Sequence, residues 1–277
     1  MLWQNIFATI TKRTLRKKIV LKVRDIYITC ENGLEAVTPL AVQGVSEMMA
    51  CFPKYEKMYP VSNLKNWQSD NALAIRDGQT FLEPYESVRW YIERAKLQAK
   101  LDNRYERGQI CLNTLMNDLA NDPYRQKIPQ LSILLVKHDL YARQSDNTLL
   151  NYALGIGSEN GFCVVSTARF LDENGYLKQE EFKTVLMHEF GHVIGLTPYN
   201  RRNSEENLGT HCLDESCIMQ QRANGDFRDV TRMRLAMKQN DLAPICDDCI
   251  EAGNKYFEHD LARTITLQNL NRLNYGR

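Results

Sequence analysis

An α+β fold, α/β/α-like in its layering, is what this sequence predicts, and three observations carry it. Loosely alternating, β-branched residues from Ile19 to Ile28 lead into an amphipathic stretch from Glu35 to Phe52. Apolar runs at 131–136, 152–157 and 162–166 have the length and the bounding turns of strands. Phe182, Val185, Leu186, Phe190 and Val193 then recur at three- and four-residue steps, the period of a half-buried helix. Strand and helix signals alternate, so a mixed, twisted sheet covered by helices is expected.

The remaining elements follow in order. Residues 53–80 are rich in Pro, Asn, Asp and Gly and read as loop. A helix is expected over 85–102, with Val88, Tyr91, Ile92, Ala95 and Ala99 on one side and the pair Arg89 and Glu93 four apart. Another is expected from Ile110 to Leu119. Ser158-Glu159-Asn160-Gly161 and Asn174-Gly175 mark turns. A polar loop spans Thr197 to Thr210, and Val230 to Met237 reads as the last helix.

With 277 residues and a net charge of +1, the chain can bury an ample core and carries no global field towards nucleic acid or membrane. No apolar run has transmembrane length, so neither partner is expected. Residues 1–24 hold seven lysines and arginines and no acid, and read as a solvated basic segment. That basic cluster follows the apolar start, the reverse of a secretory signal, so a cytoplasmic location is expected. In that compartment the eight cysteines are metal ligands or buried thiols rather than a disulfide framework.

The most informative stretch is His188-Glu189-Phe190-Gly191-His192, with Gly195 three residues on. On a helix, two histidines at i and i+4 lie on one face and supply two imidazoles to a tetrahedral zinc that stays open to solvent. Glu189, offset by one residue, reaches metal-bound water without ligating the metal, the general-base position of a zinc peptidase. Gly195 ends the helix by taking the left-handed conformation. The bland alternative is a surface helix with solvated histidines.

Cys212 and Cys217, followed by Cys246-x-x-Cys249, are two short-spaced pairs of the kind a closed four-cysteine zinc site needs. The alternatives are four buried thiols or two disulfides. Cys163 reads as a half-buried packing residue, and His138 and His259 as structural or solvated.

Taken together, these motifs resemble the archaemetzincins, a branch of the metzincin zinc peptidases, whose pattern runs H-E-x-x-H-x-x-G-x-x-H-C-x4-C-x-M and then C-x-x-C. The matching positions are His188, Glu189, His192, Gly195, His211, Cys212, Cys217, Met219, Cys246 and Cys249, with a weaker match at Arg107-Gly108-Gln109. The similarity covers roughly residues 103 to 255.

The resemblance implies a metzincin-type fold and two Zn2+ per chain. His188, His192 and His211 would hold the catalytic ion, with Glu189 as base for a zinc-activated water. Cys212, Cys217, Cys246 and Cys249 would hold a structural one. Met219 would form the turn beneath the metal, and a peptide or protein would be the substrate, pairing with an exposed antiparallel strand that chain order places at 161–166.

The implied organisation is a basic segment 1–18 and one catalytic domain over 19–277. That domain carries a helix-rich insertion at about 60–102 and a loop insertion at 196–210. Fifteen residues separate Gly195 from His211 where the family has two. Such a loop either lifts out as a hairpin and leaves His211 in place, or displaces it and leaves Glu205, Glu206 or Asp214 as third ligand. The competing function is a non-catalytic, zinc-stabilised binding module.

Overall fold

The structure is a computed structural model. It describes residues 23–65, 73–76, 79–82, 87–122, 130–144, 148–159, 161–206, 209–221 and 227–275. The basic segment 1–18 lies outside these residues, as do parts of 60–102 and 196–210.

In chain order the first elements are β1 (Asp25–Cys30), α1 (Thr38–Met49), β2 (Val61–Lys65), β3 (Leu73–Arg76), β4 (Gln79–Leu82) and α2 (Val88–Leu101). Then come β5 (Gln109–Cys111), α3 (Leu112–Ala120), β6 (Gln130–Val136), β7 (Asp139–Arg143), β8 (Leu149–Ala153), β9 (Gly155–Ser158) and β10 (Phe162–Ser166). The last are α4 (Gln179–Val193), β11 (Ser204–Glu206), β12 (Thr210–Cys212), α5 (Arg228–Gln239) and α6 (Asp247–Tyr275).

The central sheet has the order β2-β1-β6-β10-β9, parallel except for β9, which runs antiparallel at one edge. Its side chains alternate between two helical layers, as the period of two requires. Ile133 and Leu135 of β6, with Cys163 and Val165 of β10, face the core shared with α1 and α4. Leu134 and Val136, with Phe162 and Val164, face the core shared with α2 and α3. Because both faces are covered, β6 and β10 are buried along almost their whole length and are mostly apolar. The result is the expected α/β/α layering.

Local signals place the helices. Ser87 caps α2, its hydroxyl accepting from the Trp90 N–H at 3.2 Å. Gly44 lets α1 close on α4: a Cβ there would stand 3.2 Å from Leu186 Cδ2. Behind α4, the buried Arg234 of α5 donates to Glu47 of α1 at 2.8 Å and to the Thr184 hydroxyl at 2.9 Å, and pairs with Glu180. These charges are matched inside the fold and fix α4 between α1 and α5.

Five expectations are corrected. The stretch 53–80 is not loop alone, since β2 joins the main sheet beside β1 and β3 pairs with β4. The run 152–157 is two strands in different sheets, β8 pairing with β7 and β9 with β10. Phe162–Ser166 is not the exposed edge: all five residues are buried, and the antiparallel edge strand is Gly155–Ser158. Cys163 is accordingly fully buried rather than half-buried.

The last correction is α6, 29 residues long, beyond the helix read as the last. Its Phe257 fills a space among Phe52, Tyr55 and Tyr59, with ring centroids 4.9–5.2 Å away.

Candidate metal centres and active site

The helix α4 ends as its glycine requires. Gly195 has φ +64°, its N–H donates to the His192 carbonyl at 3.1 Å, and the Leu196 N–H donates to the Gly191 carbonyl at 3.0 Å. This pair of bonds is the Schellman closure. It turns the chain sharply just past His192 and delivers Thr197 back to that ring.

Each of three histidines has one ring nitrogen within 4.8 Å of the other two: His188 and His192 from α4, and His211 from β12. The outer nitrogens are all engaged. His188 Nδ1 donates to the Ile218 carbonyl at 2.7 Å and His211 Nδ1 to the Gly209 carbonyl at 3.1 Å. His192 Nδ1 meets the Thr197 hydroxyl at 3.1 Å. A carbonyl only accepts, so His188 and His211 carry their hydrogen on Nδ1 and present Nε2 as a bare lone pair. Such outer bonds fix tautomer and ring orientation in metal sites.

Nε2 of His188 and His192 lie 3.2 Å apart, close to the separation of about 3.3 Å that a tetrahedral ion with bonds of about 2.0–2.1 Å imposes. Burial, with the neighbouring imidazoles, lowers the pKa of His192 well below its usual 6.5 and that of His188 to about 4. Both rings are therefore neutral, the form that binds a metal.

Glu189 lies on the strand side of α4. A Cβ on Gly155 would stand 2.9 Å from Glu189 Cγ, and one on Gly157 would stand 2.1 Å from the Glu189 carbonyl oxygen. The two glycines let edge strand β9 lie directly against the helix beside this carboxyl. Burial pushes Glu189 up to about 8, opposed by a hydrogen bond with the Gly157 backbone; a nearby cation acts in the same direction as that bond.

Beneath the histidines, the fully buried Met219 packs on Gly191. A Cβ there would stand 2.2 Å from the Met219 sulfur. The segment Cys217–Met219 thus supports the helix through this contact and the Ile218 carbonyl.

The four cysteines converge as the second group, with all sulfurs within 4.8 Å of one another. Cys212 and Cys246 sulfurs are 3.6 Å apart, and Cys217 and Cys249 are 3.5 Å apart, near the ~3.8 Å edge of a tetrahedron with Zn–S bonds of about 2.3 Å. Crowding separates their acidities: hydrogen bonds from Cys217 and Cys249 push Cys212 strongly down, and those same bonds push Cys217 and Cys249 up. Four thiols this close ionise together only around a cation. The Asp214 N–H points at Cys212 Sγ and the Met219 N–H at Cys217 Sγ, each at 3.4 Å.

The loop between Gly195 and His211 does lift out as a hairpin. Ser204 pairs with Cys212, Glu205 with His211 and Glu206 with Thr210. Its return strand sets His211 and Cys212 side by side, one in each group. Among the described residues no carboxylate joins the histidine group. Glu205 and Glu206 are exposed, and Asp214 accepts from Ser216.

His138 is paired with Glu31, Nε2 to Oε1 3.0 Å. His259 lines a hollow of about 820 Å³ between α6 and residues 198–203, and belongs to neither group. Sequence reading missed Thr197, Gly191 and Arg201. Of the strand glycines, only the spacing Gly155-x-Gly157 inside a strand signal offered a clue to close backbone approach.

No protein-family model matches the chain, and no curated protein matches it. Among solved structures the chain is similar to archaemetzincin from Methanopyrus kandleri, over 85% of this chain and 96% of that one, at 18% identity and a TM-score of 0.46. Among the described residues, no helix is long and apolar enough to cross a membrane.

Proposed function

We propose that this protein is a zinc-dependent peptidase, with His188, His192 and His211 holding a catalytic ion and Cys212, Cys217, Cys246 and Cys249 holding a second, structural one. The observation that carries the reading is the convergence of three imidazoles, each held from behind at Nδ1, beside a buried carboxyl and an edge strand.

Held by His188, His192 and His211, a zinc ion would supply Lewis acidity to the scissile carbonyl and to the attacking water. The chain's residues do the rest. Glu189 accepts the proton of the attacking water on a carboxylate oxygen and returns it to the leaving amine. Its burial against Gly155 and Gly157 keeps bulk water from competing for that proton. β9 offers an extended peptide a strand to pair with, beside Glu189. The Cys217–Met219 turn keeps the His188 ring oriented while the substrate is bound.

The test is metal content and cleavage measured on the same preparations. Wild type is expected to bind two zinc ions per chain and His188→Ala one. Glu189→Gln is expected to keep two while peptide-library cleavage falls at least 100-fold. One ion in both wild type and His188→Ala would leave a zinc-stapled binding module as the correct description. Unchanged cleavage by Glu189→Gln would remove that residue's assigned role.

A further inference from the structure

Arg201 sits in the loop between the two metal groups and touches both sides of it. Its Nη1 donates to the Leu196 carbonyl at 2.7 Å and to Cys249 Sγ at 3.0 Å. Its Nη2 donates to the Asn203 carbonyl at 3.1 Å and to Cys212 Sγ at 2.9 Å. One guanidinium therefore joins the residue just after the α4 closure, the start of the hairpin, and both short-spaced cysteine pairs, Cys246 Sγ also lying 3.9 Å from Nη2. The Asn203 side chain adds a second tie, donating to Asp248 at the start of α6 at 2.9 Å.

Four thiolates around a divalent ion carry a net charge of −2, and burying that charge is costly unless a cation or hydrogen-bond donors face it. A guanidinium suits this role because its rigid fork of N–H groups spans several acceptors at once and it never deprotonates. Bonds from charged donors are the strong ones. The carbonyls of Leu196 and Asn203 hold one N–H of Nη1 and one of Nη2, so the cation is fixed rather than free to leave.

We infer that Arg201 is the built-in counter-ion of the tetracysteine centre and the positioning residue that ties the 196–210 loop to it. Filling the structural site thereby fixes the path that presents Thr197 and His211 to the histidine site. The inference rests on the reading of the four cysteines as a metal centre. It gives the loop a definite part: the segment that interrupts the histidine spacing also carries the charge that balances the sulfur cluster.

The experiment uses full-length protein loaded with cobalt(II), whose sulfur-to-metal charge-transfer bands report on the thiolates. Zinc transfer to a chromogenic chelator is followed in parallel. Arg201→Gln is expected to shift those bands and to speed metal loss from the tetracysteine site roughly 10- to 100-fold, the usual effect of losing an outer partner. It should also speed loss from the histidine site, through the loop. Arg201→Lys, which keeps the charge without the fork, should return the bands towards wild type.

Bands and release rates in Arg201→Gln equal to wild type would overturn the inference while leaving the metal centre intact. Absence of thiolate bands in wild type would overturn the metal reading of the cysteines and this inference with it.

Discussion

The sulfur of Met219 occupies the space that a side chain on Gly191 would need, 2.2 Å from where its Cβ would stand. This contact lies between the two histidines of α4 and under the histidine group. In Gly191→Ala, two effects oppose. Alanine gains about 1 kcal/mol of helix propensity, whereas forcing a methyl into a filled core costs about 1–3 kcal/mol. Since Met219 is fully buried and Leu196 Cδ1 lies 3.2 Å away, packing should win, by up to about 2 kcal/mol. Denaturant unfolding of metal-loaded protein measures it, and a more stable variant would show that the thioether swings away freely.

At Gly157 the obstacle is backbone. The Glu189 carbonyl oxygen would be 2.1 Å from a new Cβ, and His192 Cβ 2.7 Å. A carbonyl inside a helix does not step aside, so Gly157→Ala must push β9 off α4. Cleavage should fall at least tenfold, because a displacement of about 1 Å at a reacting site is costly. Metal at the tetracysteine site should stay. Steady-state peptide cleavage beside total metal content checks this; full activity would mean that the strand is not part of the cleft.

Thr197→Val tests the outer bond to His192. Valine matches threonine in shape and removes the hydroxyl that holds Nδ1 at 3.1 Å. Zinc affinity at the histidine site should drop about 10- to 100-fold, with the sulfur site unchanged. Competition against a chelator of known affinity reads the difference. Equal affinity would show that packing alone orients the ring.

Stability should fall on the acid side partly through Glu47. Burial by itself would raise its pKa, but the hydrogen bond from Lys238 and the charges of Lys183, Lys238 and Arg234 outweigh that and hold it below its usual 4.5. A carboxylate more acidic in the folded chain than in the unfolded one stabilises the fold above its unfolded value. That contribution is lost as pH falls from about 4.5 through the folded value. Thermal unfolding of Glu47→Gln across this range should give a shallower acid-side slope than wild type. Identical slopes would place the acid sensitivity elsewhere, for instance in Glu180, which Lys183 and Arg234 hold down in the same way.

Much of the site was legible because its chemistry is local. His188, Glu189 and His192 are spaced by one helix turn, Gly195 closes that helix at its φ of +64°, and each cysteine pair is short enough to bind from a single turn. Apolar periodicity placed β6, β10, α2 and α4 within a few residues. The expectations that failed share a different cause. An edge strand and an interior strand differ in what lies beside them, not in their own composition. So chain order points to Phe162–Ser166 as the edge, while β9, held against α4 by two glycines, reads in the sequence as part of a longer strand.

The sequence by itself determined which residue types are available, and at what spacing, for a three-imidazole site and a four-thiolate site. Only the tertiary structure decided that fifteen intervening residues still bring His211 to His188 and His192, because a hairpin's register fixes its ends together whatever its length. It also decided that Thr197, Ile218 and Gly209 hold the rings from behind, and that Arg201 reaches the sulfurs. Those roles depend on where a backbone carbonyl or a lone polar side chain ends up after long-range packing, and a position along the chain does not encode that.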